Sequence, residues 1–137
     1  MPGWVGAILS SRIVGVFARL LLTFPFWGSG LSKILDFGAA QAEMAHFNLN
    51  PPIPFAIAVA TTQLIGSGLV IFSGRYAWLG AGMLGVFTLL TIPIAHAFWT
   101  MAEPQRTPEM YTAVEHLAVI GGLIIVSILR WRETGRR

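Results

Sequence analysis

The sequence contains no cysteine and few charged residues. The absence of cysteine from the 137 residues excludes disulfide bonds, thiolate metal sites and cysteine nucleophiles. Charged residues make up 11% of the chain, against about 25% in an ordinary soluble domain. This shortage excludes a disordered chain, a charged coiled coil and a nucleic-acid-binding tail, so we expect no nucleic-acid partner. No phosphate-binding loop, dinucleotide fingerprint or nucleophile elbow occurs either.

Long apolar runs dominate the sequence instead. Hydrophobic residues make up 55% of the chain, and the mean hydropathy is +0.69. Four runs are each about as long as the ~20 residues that a helix needs to cross ~30 Å of hydrocarbon. They are apolar on all sides, whereas the helices of a soluble bundle carry polar faces. The predicted spans are residues 17–35, 54–73, 77–99 and 112–129. We therefore predict an all-α membrane protein, a four-helix transmembrane bundle in the lipid bilayer, with residues 1–137 as a single integral membrane domain.

The segments between these spans are short and more polar. Residues 36–53 and 100–111 are expected to be loops, and residues 74–76 a tight turn. Residues 3–16 are apolar enough to form an interfacial helix or to extend the first span.

Basic residues are unevenly distributed between the two sides that four spans define. Both termini and the turn at residues 74–76 lie on one side. That side holds seven of the nine basic residues: Arg12, Arg19, Arg75, Arg130, Arg132, Arg136 and Arg137. The other side holds only Lys33 and Arg106. Because cytoplasmic loops carry the excess of lysine and arginine, we predict that both termini are cytoplasmic and that the protein is a multi-pass protein of the cell inner membrane.

Five polar or ionisable side chains lie in or at the ends of the predicted spans. An ionisable group in a span costs at least ~2.5 kcal/mol on insertion scales and is a functional candidate by default. Lys33, His96, Glu115 and His116 fall in one layer near the outer face, and Gln63 lies deeper, at mid-span. We predict that His96, His116 and Glu115 are catalytic and that Glu115 faces one of the two histidines. Lys33, Gln63, Trp27 and Trp99 are the predicted ligand-binding residues.

Structural roles remain open for the same residues. Lys33 is also suited to anchoring its span by extending towards the interface. The two histidines are suited to hydrogen bonds between helices, and Glu115 to the positive end of a helix dipole. Gln63 could satisfy a backbone carbonyl that Pro25 leaves without a donor.

Metal and haem binding also remain chemically open. Imidazole and carboxylate groups suit several divalent ions, and two histidines on adjacent helices can ligate haem. No ligand spacing such as His-Glu-x-x-His occurs, however, so we predict no metal site. The cofactor is unknown from these residues, and haem and metals are not favoured.

Several runs in the chain resemble the DoxX family of small four-span membrane proteins. They lie in order over roughly residues 12–130. Residues 18–22, 26–33 and Phe37 resemble the family's first span; the proline-rich segment, residues 63–68 and Gly74-Arg75 resemble its second span and turn; residues 96–99 and 117–123 resemble its third and fourth spans. Two positions depart from the family pattern. Family members often carry glutamate in place of Gln63 and a Lys-Asn pair in place of Glu115-His116.

The resemblance implies a fold, a location and a redox context. The family is similar to the small membrane subunit of thiosulfate:quinone oxidoreductase, and other members are associated with redox and oxidative-stress complexes. The leading hypothesis is therefore a redox-associated membrane protein that binds a quinone-like or other small ligand in an outer-leaflet cavity, with membrane redox subunits as partners. If it is an enzyme, it would be a quinone-linked oxidoreductase or a subunit of one. The alternatives are a non-catalytic membrane subunit or scaffold of a larger complex and a small transporter, which at this length would require a homo-oligomer.

Overall fold

The computed structural model describes residues 1–135; Arg136 and Arg137, counted above among the basic residues, lie outside the described residues. Within the described chain the secondary structure is entirely helical. The helices are α1 (Gly3–Leu9), α2 (Arg12–Leu35), α3 (Phe37–His46), α4 (Pro52–Phe72), α5 (Ala77–Ala95) and α6 (Arg106–Thr134), with a 3-10 turn at Phe98–Thr100.

Four of these helical segments are long and apolar enough to cross a membrane, which confirms the predicted fold class. They are Arg12–Leu35, Pro52–Phe72, Ala77–Thr100 and Arg106–Thr134, of 24, 21, 24 and 29 residues. Most of their large apolar side chains are exposed on the outside of the bundle. Such a surface would aggregate in water, whereas lipid solvates it.

The helices extend beyond the predicted spans at several points. The first span begins at Arg12, and the fourth begins at Arg106 and runs to Thr134. Pro108 is accommodated in the first turn of α6 because the N–H groups there have no partner inside the helix. The N-terminal segment forms a separate short helix, α1, ahead of the first span.

The segment expected to be the first loop contains a helix, α3. Asp36 ends α2 and caps α3, since its side chain accepts a hydrogen bond from the N–H of Ala39 at 2.9 Å. Ala40 and Met44 on α3 are buried against Ala56 at the start of α4. This helix therefore covers one end of the bundle. We call that end, which also carries the α5–α6 connection, the loop face, and the end with the α4–α5 turn the terminal face.

The spans pack in chain order, with α4 between α2 and α5 and with α6 against α5. Phe26, Val70, Ala81, Leu84 and Leu123 form the buried core. Glycine allows close contact at the α4–α5 crossing, where a Cβ atom on Gly80 would stand 2.5 Å from the carbonyl oxygen of Gly66. Such close backbone approach supplies the van der Waals contact that joins helices in lipid.

Candidate functional site

The loop face holds a buried lysine that α3 covers. Lys33 lies in the last turn of α2, and its side chain is only 7% exposed. Its Nζ lies 2.7 Å from Oε2 of Glu43 on α3, whose side chain is 44% exposed. Because α3 follows α2 directly after Asp36, it folds back and brings Glu43 over Lys33. The lysine is thus part of a salt bridge and does not extend freely to the interface.

Ser29 links this salt bridge to the glutamine in the middle of α4. Its Oγ accepts hydrogen bonds from Lys33 Nζ at 3.1 Å and from Gln63 Nε2 at 3.2 Å. Ser29 and Lys33 are four residues apart on α2 and therefore share a face. Gln63 is buried, and its Oε1 has no hydrogen-bond partner within the described chain. A buried acceptor without a hydrogen bond destabilises the folded protein, so this oxygen is a candidate contact for a ligand.

Two histidines meet at the end of α5 and the start of α6. The ring centroids of His96 and His116 are 4.8 Å apart, in an edge-on arrangement. His96 Nδ1 lies 2.6 Å from Oε2 of Glu109, in the first turn of α6. His116 Nδ1 lies 2.8 Å from the carbonyl oxygen of Thr112. Carboxylate and carbonyl oxygens only accept hydrogen bonds, so Nδ1 carries the proton in both rings and Nε2 is left for exchange.

A cavity of about 430 Å³ connects the glutamine to the histidine pair. This volume falls within the range of about 300–1,000 Å³ that is typical of small-molecule sites. Its polar lining consists of Glu43, Gln63, Thr91, His96 and His116, and the rest is apolar. Phe55, Leu90 and Ile94 belong to the lining and are also exposed on the outer surface of the bundle. The cavity therefore borders the surface that faces lipid.

Three of the predicted site residues line this cavity together: Gln63, His96 and His116. Lys33 lies behind the lining, where it binds Glu43. Glu115, predicted to pair with one of the two histidines, is exposed and makes no hydrogen bond or salt bridge to either of them within residues 1–135; the carboxylate on His96 is that of Glu109. The helix α6 begins at Arg106, six residues before the predicted span, and this extension brings Glu109 to His96.

The two tryptophans assigned to ligand binding lie outside the cavity lining. Trp27 Nε1 donates to the carbonyl oxygen of Leu20 at 3.1 Å, close to the turn that Pro25 disturbs by its missing N–H. Gln63 was a candidate to satisfy a carbonyl there, but its Nε2 donates to Ser29. Trp99 lies in the 3-10 turn, is exposed, and packs edge-on against Phe98.

Ser29, Glu43 and Glu109 were not predicted from the sequence as site residues. Helical spacing carried a signal for two of them, since Ser29 precedes Lys33 by four residues and Glu109 precedes His116 by seven, about two turns. Glu43 had no such signal, because its helix α3 was expected to be a loop. Among residues 1–135, no three histidine or acidic side chains are grouped closely enough to hold a metal ion.

The spans, their packing and the polar loop face define the chain as a four-span integral membrane protein. The DoxX family model matches residues 15–97, more than half of the chain. The chain belongs to the DoxX family. The match begins three residues into α2, includes α3, α4 and α5, and ends one residue after His96, so α6 lies outside it.

A curated relative agrees with this assignment. The inner membrane protein YphA of Escherichia coli (strain K12) is 24% identical over 114 residues, which cover 82% of this chain and 80% of YphA. No solved structure gave a significant match. Together with the four spans, this similarity places the chain in the inner membrane as a multi-pass protein.

Proposed function

We propose that the cavity at the loop face binds a quinone-like or other small, largely apolar ligand and exchanges protons with it. The observation that carries this proposal is the unpartnered Oε1 of buried Gln63 in a cavity that two histidines also line. A mostly apolar pocket with a few convergent polar groups is the usual form of a small-molecule site. Its border on the lipid-facing surface suits a ligand that partitions into the bilayer.

The geometry suggests other roles for Gln63 and Lys33 than direct hydrogen-bond donation to the ligand, while the histidines keep the proton-exchange role that the sequence predicted. Gln63 Nε2 already donates to Ser29, so Oε1 is the atom that would accept a hydrogen bond from a ligand hydroxyl. His96 or His116 would exchange a proton through Nε2, which suits histidine because it titrates near neutral pH. Lys33 is a positioning residue, since it holds Ser29 and Glu43. The two electrons of a hydroquinone would pass to a redox partner subunit.

Titration of the purified protein with a short-chain benzoquinone and its reduced form tests this proposal. Gln63→Leu should weaken binding of the reduced form about fivefold, because it removes one hydrogen bond worth about 1 kcal/mol while keeping the volume. The matched control is Gln41→Leu on α3, since Gln41 does not line the cavity; it should bind as the parent does. Equal affinities for the parent and Gln63→Leu, or no binding to the parent, would count against a ligand site here.

A non-catalytic subunit is the second candidate, and one feature of the bundle favours it. An apolar groove of about 540 Å³ runs between α5 and α6 and includes Gly82 and Gly85. A Cβ atom on either glycine would meet nothing within 4 Å. A helix of a larger complex could pack closely there. In that case Gly85→Leu would abolish function while Gln63→Leu would leave it intact; the ligand-site proposal expects the reverse.

A further inference from the structure

Two arginines from opposite ends of the chain meet at the terminal face. Arg19 lies two turns into α2 and is half-buried, and its Nε donates to the carbonyl oxygen of Ile71 at 3.2 Å. Ile71 is in the last turn of α4. This hydrogen bond fixes the guanidinium at the end of α4, so Arg19 does not extend freely into water as an interfacial anchor would.

Arg130, near the end of α6, reaches the same place from the other side. Its Nη2 lies so close to the α4–α5 turn that a Cβ atom on Gly74 would stand 3.4 Å from it. Its Nη1 donates to Glu133, one turn further along α6. Its Nε is buried and has no hydrogen-bond partner among residues 1–135. The side chain is 20% exposed, so most of it has lost contact with solvent.

The charges around these two guanidinium groups do not balance. Arg19 lies close enough to Arg130, Arg12 and Glu133 to interact with each electrostatically. Of these three groups Glu133 is the one with a negative charge; it pairs with Arg130, and its side chain is 59% exposed. Like charges that are partly removed from water repel each other, and an unpaired buried donor adds a further cost. A bound anion with several acceptor oxygens would offset both costs.

We infer that Arg19 and Arg130, together with the turn at Gly74, form a binding site for a phosphate group at the terminal face. A guanidinium group presents planar donors that match phosphate oxygens in pairs, and two of them can hold one phosphate from both sides. Arg130 lies directly against the turn at Gly74. The phosphate is that of an anionic phospholipid head group or free phosphate, and these two sources are separable by experiment.

The test is the melting temperature of the purified full chain in detergent, titrated with phosphatidylglycerol, phosphatidylcholine or inorganic phosphate. Phosphatidylglycerol should stabilise the parent at lower concentration than phosphatidylcholine does. Arg130→Gln should weaken the apparent affinity about tenfold, the effect of losing one charged hydrogen-bonding partner. The matched control is Arg132→Gln, which removes the same charge from an exposed position on the same helix and should change the affinity less than twofold.

Two further measurements distinguish a loss of binding from misfolding and a lipid head group from free phosphate. Glu133→Gln removes an exposed competitor for Arg130 and should tighten phosphatidylglycerol binding, a result that a misfolded variant cannot mimic. If inorganic phosphate displaces the lipid, or stabilises the parent in the absence of lipid, the site is one for free phosphate. If inorganic phosphate has no effect, the site is one for the lipid head group. Equal losses in Arg130→Gln and Arg132→Gln, or weaker binding by Glu133→Gln, would overturn the inference.

Discussion

Two carboxylates hold the basic side chains of the loop face in place. Glu43 binds Lys33, and Glu109 binds His96. Neither carboxylate was assigned from the sequence, because each lies in a segment that was expected to be a loop and that forms a helix instead. The residues inside the spans were predictable as candidates, since polar side chains stand out in an apolar run. Their partners depended on where α3 and α6 begin.

Glu109 should fix the tautomer of His96. An ionised carboxylate accepts only, so His96 carries its proton on Nδ1 and leaves Nε2 free. Replacing Glu109 by Gln allows the amide to donate as well, so we expect a mixture of the two neutral tautomers. Imidazole ¹⁵N chemical shifts of the neutral ring would show the change.

Glu115 provides the matched control for that measurement. It is exposed and six residues further along the same helix. Glu115→Gln should leave the His96 spectrum unchanged. A tautomer shift in Glu115→Gln and none in Glu109→Gln would restore the pairing that the sequence analysis expected.

At the scale of the helices, hydropathy predicted the four spans but not α3. The apolar runs fix which residues cross the membrane, because the hydrocarbon thickness sets their length. The segment after Asp36 has no such constraint. It becomes helical because Asp36 caps it and because Ala40 and Met44 find a buried position against α4. Such tertiary packing has no clear signature in a short, weakly apolar segment.

Because α3 packs on α2, the stability of the protein with Lys33 buried should depend on the counter-charge of Glu43. Glu43→Gln leaves the buried ammonium without its counter-charge and should lower the free energy of unfolding by about 1–2 kcal/mol, less than a fully buried pair because Glu43 is partly exposed. Lys33→Met removes the charge that needs a partner, so it should lower the free energy of unfolding by less than Glu43→Gln does. Thermal unfolding in detergent would compare the two variants.

The double variant completes that comparison. Lys33→Met combined with Glu43→Gln should be more stable than Glu43→Gln alone, because no unpaired charge remains in the bundle. Strictly additive losses would show that the two side chains contribute independently, in contradiction to the salt bridge.

For the whole molecule, the polar chemistry lies at the two ends of an apolar bundle. The loop face carries the cavity, and the terminal face carries the arginine cluster. Five of the basic residues lie in the helices and the turn of the terminal face: Arg12, Arg19, Arg75, Arg130 and Arg132. Their excess over the loop face predicts that the terminal face is cytoplasmic. Architecture and membrane location followed from composition, whereas the cavity depends on how α3, α4, α5 and α6 enclose a space.

The most direct test of the ligand-site proposal is an experimental structure of the protein purified with its native lipids, combined with mass spectrometry of the small molecules extracted from the same preparation. The proposal predicts density for a quinone-like ligand in the cavity, with a hydroxyl of its reduced form within hydrogen-bonding distance of Gln63 Oε1 and with one histidine in contact, and weaker ligand density in Gln63→Leu. A cavity that holds only water or a phospholipid chain, in a preparation that releases no quinone or related compound, would contradict it.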